Sequence, residues 1–268
     1  MKVILKSAAS ALALALVAGA AAATPLPPLS TTVNQQGTSQ EATVNQRAST
    51  GTVTVEQSNN DNTATVTQNT AAAAASAFVK QVGDRGTVEV TQSGADNKSE
   101  VVQAGTFDTQ RNRVEVTQVG ARAISRVGRR AAGTAAEVVG QSGFKNTISV
   151  TQTALADDAR SDLTQGGNTN EITLVQNGAR AGSDITQSGS SNQLSLTQNG
   201  AGASSDIIQR GSNNEITVVQ DGTGTVNLID QDGSENRIDV YQSLAGAYSS
   251  VTQSGTGNVA TVTQGVRP

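Results

Sequence analysis

The chain has no cysteine, no histidine and no tryptophan in 268 residues, and aromatics make up only 2% of it. Without cysteine, stability rests on no disulfide, and Cys nucleophiles and the usual zinc ligand sets are excluded. Without histidine, the commonest general acid–base is missing. No Walker loop or G-x-G-x-x-G occurs, and the scattered serines beside aspartates lack a base. The fragment Asp230-Gln231-Asp232-Gly233 lacks the further spaced ligands of a calcium loop. The composition therefore argues against an enzyme and implies neither a cofactor nor a metal. So few aromatics also make a conventional globular core unlikely for a chain of this length.

No long hydrophobic run is present either. The one apolar stretch, about Ala8 to Ala18, is too short to span a bilayer. It follows Lys2 and Lys6 and precedes Ala21-x-Ala23, the arrangement of a Sec signal peptide over residues 1–23. Cleavage would start the mature chain at Thr24 and direct it out of the cytoplasm. The remainder carries 16 Lys+Arg against 22 Asp+Glu, a net charge of about −6, which argues against nucleic acid or anionic lipid as a partner. Proline is scarce, and three of its four residues (Pro25, Pro27, Pro28) fall in a short leader over residues 24–32.

What is present is a repeat. Glutamine recurs every 11 residues at Gln165, Gln176, Gln187, Gln198, Gln209, Gln220, Gln231, Gln242, Gln253 and Gln264. Every second interval has an asparagine five residues after its glutamine: Asn170, Asn192, Asn214, Asn236 and Asn258. The period is therefore 22 residues in two similar halves, the mark of a repeat architecture. After each glutamine come four small or polar residues, with glycine second at Gly178, Gly189, Gly200, Gly211, Gly222, Gly233 and Gly255. These are expected to be turn glycines, reaching positive φ without a Cβ clash. Alternation follows each turn: Asn192, Leu194, Leu196 and Gln198 share one face, and Ala203, Ser205, Ile207 and Gln209 share the corresponding face of the next half.

The pattern predicts an all-β fold: a β-solenoid of about ten strand-turn-strand-turn coils, stacked parallel and in register, and cross-β when assembled. Glutamine richness alone would suit a disordered tract, but phase-locked glutamines with alternating Leu, Ile and Val between them favour the solenoid. Buried amides would form a Gln/Asn ladder from coil to coil, which accounts for inward polar residues. A single coil buries too little aliphatic surface to offset its own ordering, so stability must come from neighbours.

The twelve-residue units QSGSSNQLSLTQ, QRGSNNEITVVQ, QDGSENRIDVYQ and QSGTGNVATVTQ share Q-x-G-x-x-N-x-[apolar]-x-x-x-Q. This pattern resembles the curlin repeat of bacterial curli amyloid subunits. It runs without interruption over residues 165–264 and more loosely over 33–164, leaving a tail at 265–268. The chain departs from the family in having Ala181, Ala203, Thr225 and Ala247 where a serine is usual, six residues before the motif glutamine. It also shows only TPLPPLS, rather than a longer Gly-rich segment, before the repeats. The resemblance implies a subunit exported to the cell surface as a fimbrium, self-polymerising into amyloid for biofilm and adhesion. It implies as partners further copies of the chain, a nucleator or other curlin subunit, an outer-membrane secretion channel and periplasmic chaperones. Major subunit and nucleator both remain open.

The first half is irregular. Intervals lengthen after Gln68, Gln103 and Gln152, and Gln118 to Gln141 has no glutamine between, with Arg122, Arg126, Arg129 and Arg130 inside it. Asn62, Asn97 and Asn112 break the alternation, so either the faces slip or both halves accept asparagine. Asp162, Asp184 and Asp206 recur three residues before their glutamines. Stacked, they would repel and act as gatekeepers against premature assembly; otherwise they are solvated surface acids. Glu215 over Arg237 is an expected exposed ion pair of small value. Two other functional classes fit the pattern less well. A monomeric solenoid displaying threonine (the TVT at 65–67 and 261–263) would bind ice or a surface. Its outward slots mix Glu171, Gln193, Glu215, Arg237 and Val259. A calcium β-roll would need Gly-Asp nonapeptides.

Overall fold

The computed structural model describes residues 2–7, 12–17, 29–48, 50–104, 111–130 and 137–266. The expected cleavage site at Ala21–Ala23, the proline cluster and most of the extra residues after Gln103 lie outside them. The described chain is all-β and coils as a solenoid, each turn placing one strand in each of two sheets. One sheet runs from Gln40–Gln46 through Thr63–Gln68 and onward to Arg237–Gln242 and Val259–Gln264. The other runs from Ser30–Thr38 through Gly51–Asn60 to Val226–Ser234 and Tyr248–Thr256. Pairing between successive turns is parallel and in register. Gln193 lies beside Glu215 and Gln198 beside Gln220; on the other side Ser204 lies beside Val226 and Gln209 beside Gln231.

Alternation sets the core. In Gln193–Gln198 the residues Leu194, Leu196 and Gln198 are buried, and in Ser204–Ser212 Ser205, Ile207 and Gln209 are buried. The facing sheets share one continuous apolar seam along the axis. Its width changes. From Val33 to Val127 every buried aliphatic in it is Val or Ala; from Ile148 to Ile238 each turn carries Ile or Leu. The last turn returns to Val251, Ala260 and Val262.

The two corners of a turn are not alike, which corrects the expectation of equal four-residue turns. After Gln187 the strand continues through Ser188, Gly189 and Ser190. The chain then reverses at Ser191 (φ 55°) into buried Asn192. After Gln198 a true loop runs from Asn199 to Ala203, with Gly202 at φ 67° and Ala203 N–H donating to Gly200 O at 3.3 Å. The difference is the asparagine. Asn192 Nδ2 donates to Ser188 O (3.0 Å) and to Gly211 O of the next turn (2.9 Å), holding the tight corner closed. In the regular turns the other corner carries Ala181, Ala203, Thr225 or Ala247 in that place and closes with backbone bonds.

The glycines also work differently from expectation. Gly178, Gly200 and Gly222 do sit in the alanine corner, but none has positive φ. A Cβ on them would lie 1.9–2.3 Å from a carbonyl oxygen of the next turn. Gly189, Gly211, Gly233 and Gly255 lie inside strands, not turns. Their φ values of 102–120° turn the would-be Cβ along the stacking axis. What both sets share is close approach of stacked backbones. The left-handed turn position is elsewhere, at Gly202, Gly224 and Gly246, and at Arg180 with φ 57°.

Irregular intervals leave the coil intact. Gln118 to Gln141 is one half-turn carrying an inserted hairpin. Gly128 pairs antiparallel with Val139 and Arg130 with Glu137, and Gln141 then rejoins the column between Gln103 and Gln165. Nor do the faces slip. Asn62 and Asn112 stand in the asparagine corner, where Gly86 N–H donates to Asn62 Oδ1 and Asn146 N–H to Asn112 Oδ1. Asn97 stands in the alanine corner, where Ala123 N–H donates to its Oδ1.

The two glycine environments differ testably. Gly224 has nothing within 4 Å of a built Cβ, so Gly224→Ala should cost only the left-handed backbone strain, about 1–2 kcal/mol. A Cβ on Gly211 would meet Gly233 O at 1.8 Å, so Gly211→Ala should abolish the β-type circular dichroism signal or shift its urea midpoint far more.

Candidate assembly interface: the amide ladders and the two ends

Twenty glutamines form two columns, one beside each sheet. The first contains Gln46, Gln68, Gln92, Gln118, Gln152, Gln176, Gln198, Gln220, Gln242 and Gln264. The second contains Gln35, Gln57, Gln81, Gln103, Gln141, Gln165, Gln187, Gln209, Gln231 and Gln253. Every successive pair is hydrogen-bonded through its side chains. In the first column the Nε2···Oε1 distances are 2.8–3.1 Å. In the second they are 2.7–3.1 Å. In many of them, including Gln187 and Gln198, the second amide hydrogen goes to a backbone carbonyl across the corner, to Glu171 O at 3.1 Å and Gly182 O at 2.9 Å. A glutamine so placed is both fully buried and satisfied, which removes the usual cost of burying an amide.

Asn146, Asn170, Asn192, Asn214, Asn236 and Asn258 form a third column, in which each backbone N–H donates to the preceding Oδ1 at 2.9–3.0 Å. Gln40 takes this role in the first turn, donating to Gln36 O and Asn59 O. A fourth column escaped sequence reasoning: buried Ser161, Ser183, Ser205 and Ser249, with Asn227 among them. Ser205 Oγ donates to Gln220 Oε1 at 2.8 Å and ties one sheet to the other's ladder. Its signal was a serine four residues before Gln165, Gln187, Gln209 and Gln253, with Asn227 in that place before Gln231.

Both glutamine ladders point the same way, each amide donating toward higher residue numbers. At the last turn, Gln253 Nε2 and Gln264 Nε2 donate only to Arg237 O (3.4 Å) and Tyr248 O (2.7 Å). Each keeps a hydrogen for a further rung. At the first turn the buried Gln35 Oε1 has no donor, while Gln46 Oε1 accepts from Thr31 Oγ1. One end offers donors and the other an acceptor.

Asp162, Asp184 and Asp206 are aligned in adjacent strands. Asp162 is matched by Arg126 (3.4 Å) and Arg160 (2.8 Å), and beyond Asp206 the column continues to Leu228. The arginine-rich half-turn is charge-paired to the turn after it. Arg122 meets Asp158 with two bonds of 2.7 and 2.9 Å, and Ala121 N–H donates to Asp157 Oδ1. The hydrogen bond to Asp158 raises the Arg122 pKa above its usual value. The exposed pair Arg237–Glu215 forms at 3.0 Å, and Asp230 meets Arg210 at 3.1 Å.

Interrupting a ladder should weaken the fold by its position. Gln187→Leu strips Gln165 Nε2 of its acceptor and Gln209 Oε1 of its donor, at about 1–3 kcal/mol for each group left unsatisfied. Gln253→Leu orphans only Gln231 Nε2. The urea midpoint should therefore fall further for Gln187→Leu.

No curated protein matches the chain. The family model described as the curlin associated repeat matches residues 189–222 and, again, 211–243. These two matches lie on consecutive turns of the solenoid, where ladder, corner asparagine and strand glycine are most regular. Over these two turns, repeat and coil agree: residues 189–243 carry curlin-associated repeats.

Proposed function

We propose that this protein is a secreted structural subunit that stacks end to end into curli-type amyloid fibres, for biofilm matrix and surface adhesion. One observation carries the reading: two unbroken glutamine ladders stop at open donors on one end and open onto an acceptor at the other. The two ends are different surfaces, so joining them is heterologous and does not close; repetition gives a filament. Uncovered strand edges favour the same outcome. At the last turn Tyr248–Thr256 and Val259–Gln264 each have a strand neighbour on one side only. Residues 1–23 would act as the signal for export to the periplasm and then the cell surface. Other curlin subunits, an outer-membrane channel and chaperones would be its partners.

Within this reading the aspartate column slows assembly. Asp184 lies in register between Asp162 and Asp206, and Asp162 already meets two arginines. Asp206→Asn should shorten the assembly lag at low salt, and the gain should vanish at about 1 M salt, where screening reaches about 3 Å. Asp162→Asn should bring no such gain. Equal lags for Asp206→Asn and the native chain at low salt would dismiss the brake.

A second reading rests on a different surface. On the outer face of the first sheet Thr67, Thr91, Thr117 and Thr151 are in register, and the column resumes at Thr197 and Thr263 with Val175, Val219 and Tyr241 between. No position of it carries charge. A soluble solenoid could bind a surface through this column.

Thioflavin T fluorescence of the chain from Thr24, with and without preformed seeds, separates the two. A lag abolished by seeds, with a fibre reflection at about 4.7–4.8 Å, is the expected result. A soluble β-rich monomer that forms no fibres would transfer the function to the threonine face.

A further inference from the structure

The first turn is not bare in this chain. Lys2–Ser7 lies antiparallel along Gln40–Gln46, from Lys2 beside Asn45 to Ser7 beside Gln40. Leu12–Val17 lies antiparallel along Ser30–Thr38, from Leu12 beside Gln35 to Val17 beside Ser30. Apart from the hairpin at Gly128–Val139, these are the only antiparallel pairings among the described residues. The register sets Val3 opposite Val44, Leu5 opposite Ala42 and Leu14 opposite Val33. The backbone edge of the first turn is therefore occupied in both sheets. Both segments belong to the stretch read as a signal peptide.

That edge is also the one a second copy would need. The buried set of the first turn is Thr31, Val33, Gln35, Gln40, Ala42, Val44 and Gln46; the corresponding places of the last turn hold Ser249, Val251, Gln253, Asn258, Ala260, Val262 and Gln264. Stacking last on first sets like on like at Val, Gln, Ala, Val and Gln, and Ser249 on Thr31 and Asn258 on Gln40, each one carbon smaller. The turns between Ile148 and Ile238 carry larger side chains. The apolar seams of the two ends thus match each other in volume, the condition for close packing across a new rung. The donors left on Gln253 and Gln264 would meet Gln35 Oε1 and Gln46 Oε1.

We infer that residues 2–7 and 12–17 cap the first-turn edge, and that the uncleaved chain is a one-ended subunit. It presents its last turn to the exposed first turn of a filament, and once bound it shows only its own cap there. Cleavage after Ala23 frees the edge and makes the subunit two-ended. The inference rests on the end-to-end reading above and adds a step that licenses it. Before processing, the chain terminates growth at one end; after processing, it propagates growth at both.

The test adds a substoichiometric amount of the full chain, residues 1–268, to seeds growing in the chain from Thr24, imaged by atomic force microscopy. One end of each seed should lose its growth while the other continues, since the two ends of such a filament are different surfaces. A full chain carrying Leu5→Pro and Leu14→Pro keeps most of the apolar content but loses ladder donors, and should leave both ends growing. Both ends growing with the native full chain would overturn the cap, as would a proline variant that blocks equally well. If the chain from Thr24 does not elongate at all, the end-to-end reading fails. The cap is then read by hydrogen exchange. Amides of Ser30–Thr38 and Gln40–Gln46 should exchange more slowly in the full chain, and equal rates would refute it.

Discussion

A glutamine side chain buried in an apolar seam is stable only if both its amide hydrogens and its oxygen find partners. Here the partners are the same residue one turn away and a carbonyl across the corner. That requirement sets the register of everything else. A slip of one residue would turn the apolar seam outward, and a slip of a whole turn would leave rungs unmatched at both ends. The ladder also overrides chain length. Gln103 and Gln141 are 38 residues apart, with an inserted hairpin and a longer corner between them, yet their amides meet at 2.7 Å. Insertions are accommodated at the corners, or as excursions from a strand, because only the columns must be kept.

The columns were legible because they are periodic; what lies between them was less so. A fixed 11-residue step and an alternating face point to a parallel solenoid without further information. The chemistry of the corners did not follow from spacing, because the two halves of the repeat look alike until the side chain at the fifth place is considered. In the regular turns asparagine there caps the backbone at a one-residue reversal, while alanine or threonine stands at the end of a loop. Glycine was read in part, for a related reason. Positive φ does occur at Gly211, though in a strand and not a turn, and both Gly200 and Gly211 have another backbone within reach of a would-be Cβ. No single repeat contains that contact; it exists only between repeats. In the serine column, Ser183 and Ser205 meet glutamines of the other ladder, a contact that strand alternation alone does not reveal.

The two halves of the coil hold together differently. The second half has wide Ile and Leu rungs and nearly invariant corners. The first half has a narrow Val and Ala seam, and its neighbouring turns are linked across the surface by pairs such as Arg122–Asp158 and Arg126–Asp162. Exposed pairs contribute little to stability. Fixed between particular turns, however, they oppose a shift of one turn against the next, which a uniform valine seam would tolerate. The arginine-rich stretch lies within an intact rung and ties it to the next turn.

Directional ladders have a further consequence. Because every glutamine donates toward the last turn, the ends cannot be alike, and a contact between two identical ends would face donor with donor or acceptor with acceptor. Such a coil can extend only head to tail. The narrow rungs at both ends are consistent with that limit. Val33, Ala42 and Val44 begin the narrow seam of the first half, and Val251, Ala260 and Val262 return to their sizes after the wide turns between. A seam selected only for monomer stability would have no reason to make its two ends alike. A seam that must be continued by another copy has to return at its last turn to the cross-section with which it began.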